Sequence, residues 1–188
     1  FYSAAANFSM GDWVLFEEDE WGSGPYVDDM RVGQVTQVLS GTGSPYTIKD
    51  EASKDYDKIY TLNVKKVTPI TNVGIENLTI RRTEYDALPG KNISFSNAVN
   101  CWLKGVHLYN VPKHHITINA CSHLEISGCY IHNANSYEDR ASATNSSHGY
   151  GIVLQKASTN CLIENNILHS LRHALSISAG ANSNVLAY

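Results

Sequence analysis

The sequence predicts an all-β protein built as a parallel β-helix, and three observations lead to this prediction. Short runs of alternating apolar residues begin at positions 92, 115, 151 and 174, so they are separated by 23, 36 and 23 residues. A second set of runs, which begin at Leu103, Ile126 and Ile163, keeps separations of 23 and 37. No helical pattern of apolar residues lies between the runs. A coil that cannot bury its inward face alone must stack on another, and stacking produces such a repeat.

The alternation within each run predicts which side chains fill the core. Successive side chains of a strand point to opposite faces, so every second residue of a run faces inward. The predicted inward columns are Ile93, Ile116, Ile152 and Leu175, and then Phe95, Ile118, Leu154 and Ile177, while Ser94, Thr117, Val153 and Ser176 face outward. An antiparallel β-sandwich is the alternative, but a sandwich has no reason to keep a 23-residue period.

The longer middle interval predicts an inserted loop. If it holds one 23-residue coil, its 36 residues include 13 extra ones. These extra residues fall between His132 and His148, at about 134–147. Long loops on a rigid scaffold commonly carry binding residues, so we expect this insert to border the functional site.

Residues 1–70 differ from the repeat and are predicted to form a β-rich region that leads into the coils. The segments 8–16 and 30–39 have strand patterns, and a polar loop separates them. Four acids of this loop are candidate calcium ligands, because hard cations bind several carboxylate oxygens; they are Glu17, Glu18, Asp19 and Glu20. A solvated acidic loop is the alternative, and no other metal or cofactor is predicted.

Parallel coils are predicted over residues 71–188. The run at 72–80 resembles the run at 100–108 at a spacing of 28, so the first of about five coils has a longer turn. The chain starts without Met, and no capping element follows Tyr188. We therefore expect a fragment of a longer solenoid whose open ends could self-associate.

Composition argues against several classes of partner. Charged residues make up 17% of the chain and the net charge is −4, so neither nucleic acid nor an anionic membrane surface is predicted as a partner. No apolar run approaches the roughly 20 residues that membrane insertion requires. The four cysteines are Cys101, Cys121, Cys129 and Cys161, and none forms a Cys-x-x-Cys pair, which argues against a zinc site. Cys101 and Cys161 fall near equivalent positions two coils apart, which corresponds to about 10 Å and is too far for a disulfide. Buried free thiols are therefore predicted.

The runs Gly74–Ile80, Leu124–Asn133 and Cys161–His169 resemble coils of the pectate-lyase-like right-handed parallel β-helix superfamily. The resemblance covers residues 64–188 and is more specific for the fold than for an activity. It implies a right-handed solenoid at the cell surface or outside the cell. The superfamily includes polysaccharide lyases, glycoside hydrolases, phage tailspikes and non-catalytic adhesins, so a polysaccharide or glycan is the expected partner.

The same alignment places ionisable residues in one column at the turn before the first run: Lys91, His114, Tyr150 and His173. The neighbouring column reads Gly90, Lys113, Gly149 and Arg172. Strands of adjacent coils lie about 4.8 Å apart, so these side chains are predicted to form a ladder along one edge. Polar residues are common at exposed turns, which is the alternative explanation of this pattern. His132 and His169 form another equivalent pair, for which a packed, hydrogen-bonded turn is favoured over a metal site.

The ladder suits a uronate-polysaccharide lyase, which must remove the proton α to a carboxylate and stabilise the enolate that forms. His173 and Tyr150 are the candidate base and acid, and Lys113 and Arg172 are candidates to neutralise the carboxylate. His114 completes the predicted catalytic set. The predicted substrate-binding residues are Lys91, His148, Tyr137 and Arg140.

Two other functions remain open. Glycoside hydrolysis needs two carboxyl groups that flank the bond, and the repeat has few acids, of which Glu138 and Asp139 are the only adjacent pair. Hydrolysis is therefore the weaker enzymatic hypothesis. The other alternative is a structural or adhesive β-helix that binds glycans or assembles without cleaving a bond.

Overall fold

The computed structural model describes residues 7–19, 32–41, 45–56, 61–83, 90–134 and 149–187, and strands are the regular structure of these parts. In chain order the strands are β1 (Trp13–Glu18), β2 (Val32–Ser40), β3 (Thr47–Ile48), β4 (Leu62–Val67), β5 (Ile70–Thr71), β6 (Gly74–Glu76), β7 (Thr79–Arg81), β8 (Lys91–Ser96), β9 (Ala98–Val99), β10 (Trp102–Lys104), β11 (His107–Tyr109), β12 (His114–Asn119), β13 (Glu125–Ser127), β14 (Tyr130–His132), β15 (Tyr150–Gln155), β16 (Leu162–Glu164), β17 (Ile167–His169), β18 (His173–Ile177) and β19 (Val185–Ala187). No helix in the described residues is long and apolar enough to span a membrane.

Three parallel sheets form the walls of the solenoid. Sheet I has the order β6-β10-β13-β16-β19, sheet II the order β7-β11-β14-β17, and sheet III the order β8-β12-β15-β18. Neighbours in each sheet come from successive coils, which is the arrangement that a β-helix requires. The predicted all-β solenoid is therefore confirmed.

The pairing registers confirm the columns that the period predicted. Ile116 pairs with Ile93 and Ile152, which are 23 and 36 residues away. Leu103 pairs with Ile75 at the predicted spacing of 28. The interval from Ile126 to Ile163 is 37 residues and not 36, because two consecutive residues, Lys156 and Ala157, both have positive φ at one corner. Preceding coils turn that corner with a single such residue.

The inward side chains form one apolar core. Leu103, Ile116 and Ile126 are completely buried, as the alternation predicts. Leu175 and Ile177 belong to the same columns but are 36% and 46% exposed, because no described coil packs beyond them.

Left-handed residues make the corners of each coil. A non-glycine residue rarely adopts this conformation unless it is Asn or Asp, whose short side chain can bond to the local backbone. One corner column consists of Asn72, Asn100, His123, Asn160 and Ser183, all with φ between 52° and 58°. The four-cornered path brings outward side chains of successive coils into register on each face.

The leading residues form an antiparallel sheet, with the order β3-β2-β1-β4, that packs on the outside of the coils. Leu15 and Val35 lie against Val99 and Ala157 of the solenoid. A Cβ at Gly33 would lie 1.8 Å from the carbonyl oxygen of Phe16 within the sheet and 3.2 Å from the Cβ of Ala157 in the solenoid, so a glycine fits this packed position. The sheet therefore covers one corner of the coils.

All four cysteines are free and buried, as predicted. Burial raises the pKa of Cys121 to about 12 and that of Cys161 to about 11, and it also raises the pKa of Cys129. A thiol reacts as its thiolate, so these cysteines should be inert in the folded protein. We expect an aromatic disulfide reagent at pH 8 to leave Cys121, Cys129 and Cys161 unlabelled within minutes in the folded protein. The same reagent should label these three thiols after denaturation in guanidinium. Rapid labelling of Cys121 in the native protein would contradict the buried core position.

Candidate functional site

The acidic segment proposed for calcium does not converge in the described residues. Glu17 pairs with Lys65 at 2.8 Å, and Glu18 pairs with Lys54 at 2.6 Å. Asp19 accepts a hydrogen bond from the backbone N–H of Thr61. Glu20 lies outside the described residues. In the parts that are described, no group of three or more His, Cys, Asp or Glu side chains is placed to hold a metal ion.

The predicted ladder is a real column of sheet III. His114 pairs with Lys91 and with Tyr150, and Tyr150 pairs with His173. The ring of Tyr150 stacks on His114, with centroids 5.3 Å apart and planes 15° apart. On its other side Tyr150 meets His173 edge to face, with centroids 4.7 Å apart. Three side chains of the predicted catalytic set are thus in direct contact across three coils.

The members of this column differ in access to solvent. His173 is exposed and Tyr150 is half-buried, whereas His114 is only 5% exposed. The Nδ1 atom of His114 lies 3.1 Å from the hydroxyl of Thr117, which is completely buried although it belongs to the outward face. His114 is therefore placed to position the Tyr150 ring, and half-buried Tyr150 keeps part of its surface open to a ligand.

Cations surround the column. The guanidinium carbon of Arg172 lies 5.8 Å from the centroid of the Tyr150 ring. Burial lowers the pKa of Lys91, and the positive charges of Lys113 and Lys156 lower it further. Like charges lower the pKa of an amine only when they are close, so this edge carries a local positive potential. Lys113 lies next to the column, and its carbonyl accepts the backbone hydrogen bond of Tyr150 at 2.9 Å.

His115, which the sequence hypothesis did not use, forms a buried polar network behind the column. Its Nε2 lies 3.1 Å from the carbonyl oxygen of Asn133, and its Nδ1 lies 3.0 Å from the side-chain nitrogen of Asn92. A carbonyl can only accept, so Nε2 carries the proton and Nδ1 accepts from Asn92. Burial lowers the pKa of His115 to about 4, so this ring is neutral near pH 7.

The insert predicted at about 134–147 falls almost entirely within residues 135–148, which lie outside the described residues. His148, Tyr137 and Arg140 therefore remain predictions, as does the adjacent acidic pair of Glu138 and Asp139. The other predicted members of the site lie together at one edge of sheet III, and they are Lys91, Lys113, His114, Tyr150, Arg172 and His173.

A second set of aromatic and histidine side chains lies on the outer face of sheet II. His132 stacks on His169 with centroids 4.9 Å apart, which confirms their predicted equivalence. The Nε2 atoms of His107 and His132 are 2.8 Å apart, so one ring donates a hydrogen bond to the other. The hydroxyl of Tyr130 lies 2.6 Å from Nε2 of His169. The sequence analysis identified His132 and His169 but missed His107 and Tyr130. These two residues pair in register on adjacent strands, and aligning the outward positions of β11, β14 and β17 would have revealed them.

The pattern of a right handed beta helix region matches residues 36–187. This chain belongs to the right-handed β-helix family. The match covers most of the chain and includes every parallel sheet and part of the antiparallel one. It agrees with the superfamily resemblance of the three runs described above.

The β-helix is similar to proteins from bacteriophages. A capsule K1-specific depolymerase of Klebsiella phage K64-1 is 22% identical over 177 residues, which represent 92% of this chain and 19% of the relative. The crystal structure of the tailspike gp61 of Pseudomonas phage phi297 covers 98% of this chain, with 17% identity and a TM-score of 0.63. The Gp54 tailspike of Acinetobacter baumannii bacteriophage AP22, solved in complex with A. baumannii capsular saccharide, covers 89% with 17% identity and a TM-score of 0.50.

These similarities show the shared fold. The β-helix chain spans 30% of the phi297 tailspike and 31% of the AP22 tailspike. At 17% identity to both tailspikes, the site on sheet III has to be argued from its own residues.

Proposed function

We propose that this chain is part of a secreted or surface-exposed β-helix protein that acts on polysaccharide, and that sheet III cleaves a uronate polymer by β-elimination. One observation carries the proposal: His173 and half-buried Tyr150 are in contact at a cation-rich edge. The similarity to a capsule depolymerase and to a tailspike solved with capsular saccharide supports the polysaccharide class.

The chemistry assigns a role to each described side chain. His173 removes the proton from the carbon α to the uronate carboxylate. Arg172 and Lys113 stabilise the enolate charge that forms, since preorganised cations favour the charged transition state. The bond from the adjacent carbon to the glycosidic oxygen then breaks, and Tyr150 donates its hydroxyl proton to that oxygen. A double bond forms in the sugar, and solvent returns the two amino acids to their starting protonation states.

Hydrolysis fits this face less well. A glycosidase places two carboxyl groups across the scissile bond. The described outward residues of sheet III include no Asp or Glu. A lyase uses the His and Tyr that the column contains and the Arg172 beside it.

We expect Tyr150→Phe to lower kcat about 10²- to 10⁴-fold on a cleaved uronate polymer, because the variant keeps the ring and loses the general acid. His173→Ala should lose activity to a similar extent. The assay would incubate the intact protein with a panel of uronate polymers and follow the ultraviolet absorbance of the unsaturated product.

The matched control is His169→Ala, an exposed histidine on sheet II that should leave the rate unchanged. New reducing ends without ultraviolet absorbance would point to hydrolysis. If no polymer yields a product, the lyase proposal is refuted and the non-catalytic structural or adhesive alternative is favoured. Equal rates for the wild type and both sheet III variants would refute the assigned residues.

A further inference from the structure

Trp102 occupies an unusual position on the outer face of sheet I. Its indole lies over Gly74 of the preceding coil, where a Cβ would lie only 2.0 Å from Cε2 of the ring. The indole Nε1 donates a hydrogen bond to the carboxylate of Glu76 at 2.5 Å. The glycine makes room for the ring and the carboxylate holds it, so a half-buried aromatic surface is fixed on the outside of the solenoid.

This indole borders a groove. One depression of about 440 Å³ is lined by Trp102, Glu76, Asn100, Lys104, His123 and Glu125. A second depression of about 460 Å³ lies between the corner column and the segment 49–53, and His123 borders both. Small-molecule sites commonly have volumes of this order, so each depression has room for one sugar unit.

The residues of the groove are supplied by the repeat and by the leading sheet together. Asn100, His123, Asn160 and Ser183 stand in the left-handed corner column. From the opposite side, a carboxylate oxygen of Asp50 lies 3.2 Å from Nε2 of His123. The hydroxyl of Thr36 donates to the same carboxylate at 2.7 Å and fixes its orientation. The indole ring and the carboxylates of Glu76 and Asp50 are thus held by contacts within the protein before any ligand binds.

The charge of the groove separates it from sheet III. Its lining has four carboxylates, from Asp50, Glu51, Glu76 and Glu125, against the amines of Lys49 and Lys104. The ammonium of Lys104 lies 2.9 Å from the carboxylate of Glu125, and the hydroxyl of Ser127 also donates a hydrogen bond to that carboxylate. The bonds from Lys104 and Ser127 lower the pKa of Glu125. A net acidic groove repels a uronate, whereas its acceptors suit the hydroxyl groups of an uncharged sugar.

We propose that the Trp102 groove is a second glycan-binding site, which takes a neutral or amino sugar and not an acidic one. The apolar C–H face of the sugar packs on the indole, and its hydroxyl groups donate to Glu76 and to the amides of the corner column. The inference rests on the proposed function only in taking a glycan as the ligand. It requires no cleavage and does not involve sheet III.

The test measures binding of the intact protein to an array of immobilised neutral, amino-sugar and acidic oligosaccharides. The dissociation constants of the glycans that bind would then be measured by calorimetry. We expect Trp102→Ala to weaken binding of neutral or amino-sugar oligosaccharides at least tenfold, and Trp102→Phe to retain most of it because an aromatic face remains. Uronate oligomers should bind without dependence on residue 102.

Two readouts separate this inference from the lyase proposal. Cleavage of a uronate polymer should be the same in the wild type and in Trp102→Ala, and Tyr150→Phe should bind neutral glycans like the wild type. If no uronate cleavage is seen but Trp102→Ala no longer binds neutral glycans, the groove is supported as a binding site and the lyase proposal is refuted. Wild-type binding to no neutral or amino-sugar glycan, or equal binding by Trp102→Ala, would overturn the groove. Circular dichroism of each variant shows whether the coils are intact.

Discussion

Replacement of Ile126 by Ala should lower the free energy of unfolding by about 3–5 kcal/mol, in the upper part of the range for buried aliphatic truncations. Ile126 is completely buried at the middle of sheet I, and it pairs with Leu103 on one side and Ile163 on the other. Adjacent coils hold the backbone at both neighbours, so the cavity cannot collapse easily. Guanidinium denaturation of the intact protein, followed by far-ultraviolet circular dichroism, measures the change.

The control deletes the same atoms at an exposed site. Ile167 begins β17 and is 63% exposed, so Ile167→Ala should change the free energy of unfolding by less than about 0.5 kcal/mol. Equal losses for the two variants would mean that Ile126 is not in a stacked core. That outcome would contradict the sheet I register itself.

Acidification should destabilise the protein through His115. Burial lowers the pKa of this ring from its ordinary value of 6.5 to about 4. The unfolded chain therefore binds a proton first as the pH falls, and stability that is fully present above pH 6.5 is lost as the pH approaches 4. A shift of this size corresponds to about 3 kcal/mol. The geometry agrees with this direction, since a protonated Nδ1 would face the side-chain nitrogen of Asn92, which is also a donor.

The variant His115→Gln isolates this contribution. Glutamine does not titrate in this range, so the variant should be less stable than the wild type at pH 7 but should lose less stability on acidification. The measurement is the difference between the two stability curves from pH 7 to pH 4. Other titrating groups contribute to both curves and cancel in that difference. Parallel curves would show that His115 is not held neutral in the folded protein.

The two faces of the solenoid have opposite electrostatic character. The sheet III edge gathers Lys91, Lys113 and Arg172, whereas the sheet I groove gathers carboxylates around Trp102. A polysaccharide that contains both acidic and uncharged sugars would find complementary surfaces on one rigid scaffold. Binding through two such sites raises avidity without any change in either one.

Periodicity was enough to predict the solenoid, its inward columns and the sheet III ladder. The reason is geometric, because a parallel coil places each residue above the equivalent residue of the preceding coil. Residues that are one period apart in the chain are therefore neighbours in the structure. Lys91, His114, Tyr150 and His173 are therefore adjacent as soon as the period is known. The buried free thiols followed in the same way from their places in the repeat.

Contacts that cross the period could be seen only in the folded molecule. Burial of Thr117 depends on what covers an outward face, which alternation does not specify. The Trp102 groove depends on a glycine in the preceding coil and on Asp50 of the leading sheet, 73 residues from His123 in the chain. Side-chain direction and the docking of a non-repeating sheet set these contacts, and neither leaves a periodic signal in the sequence.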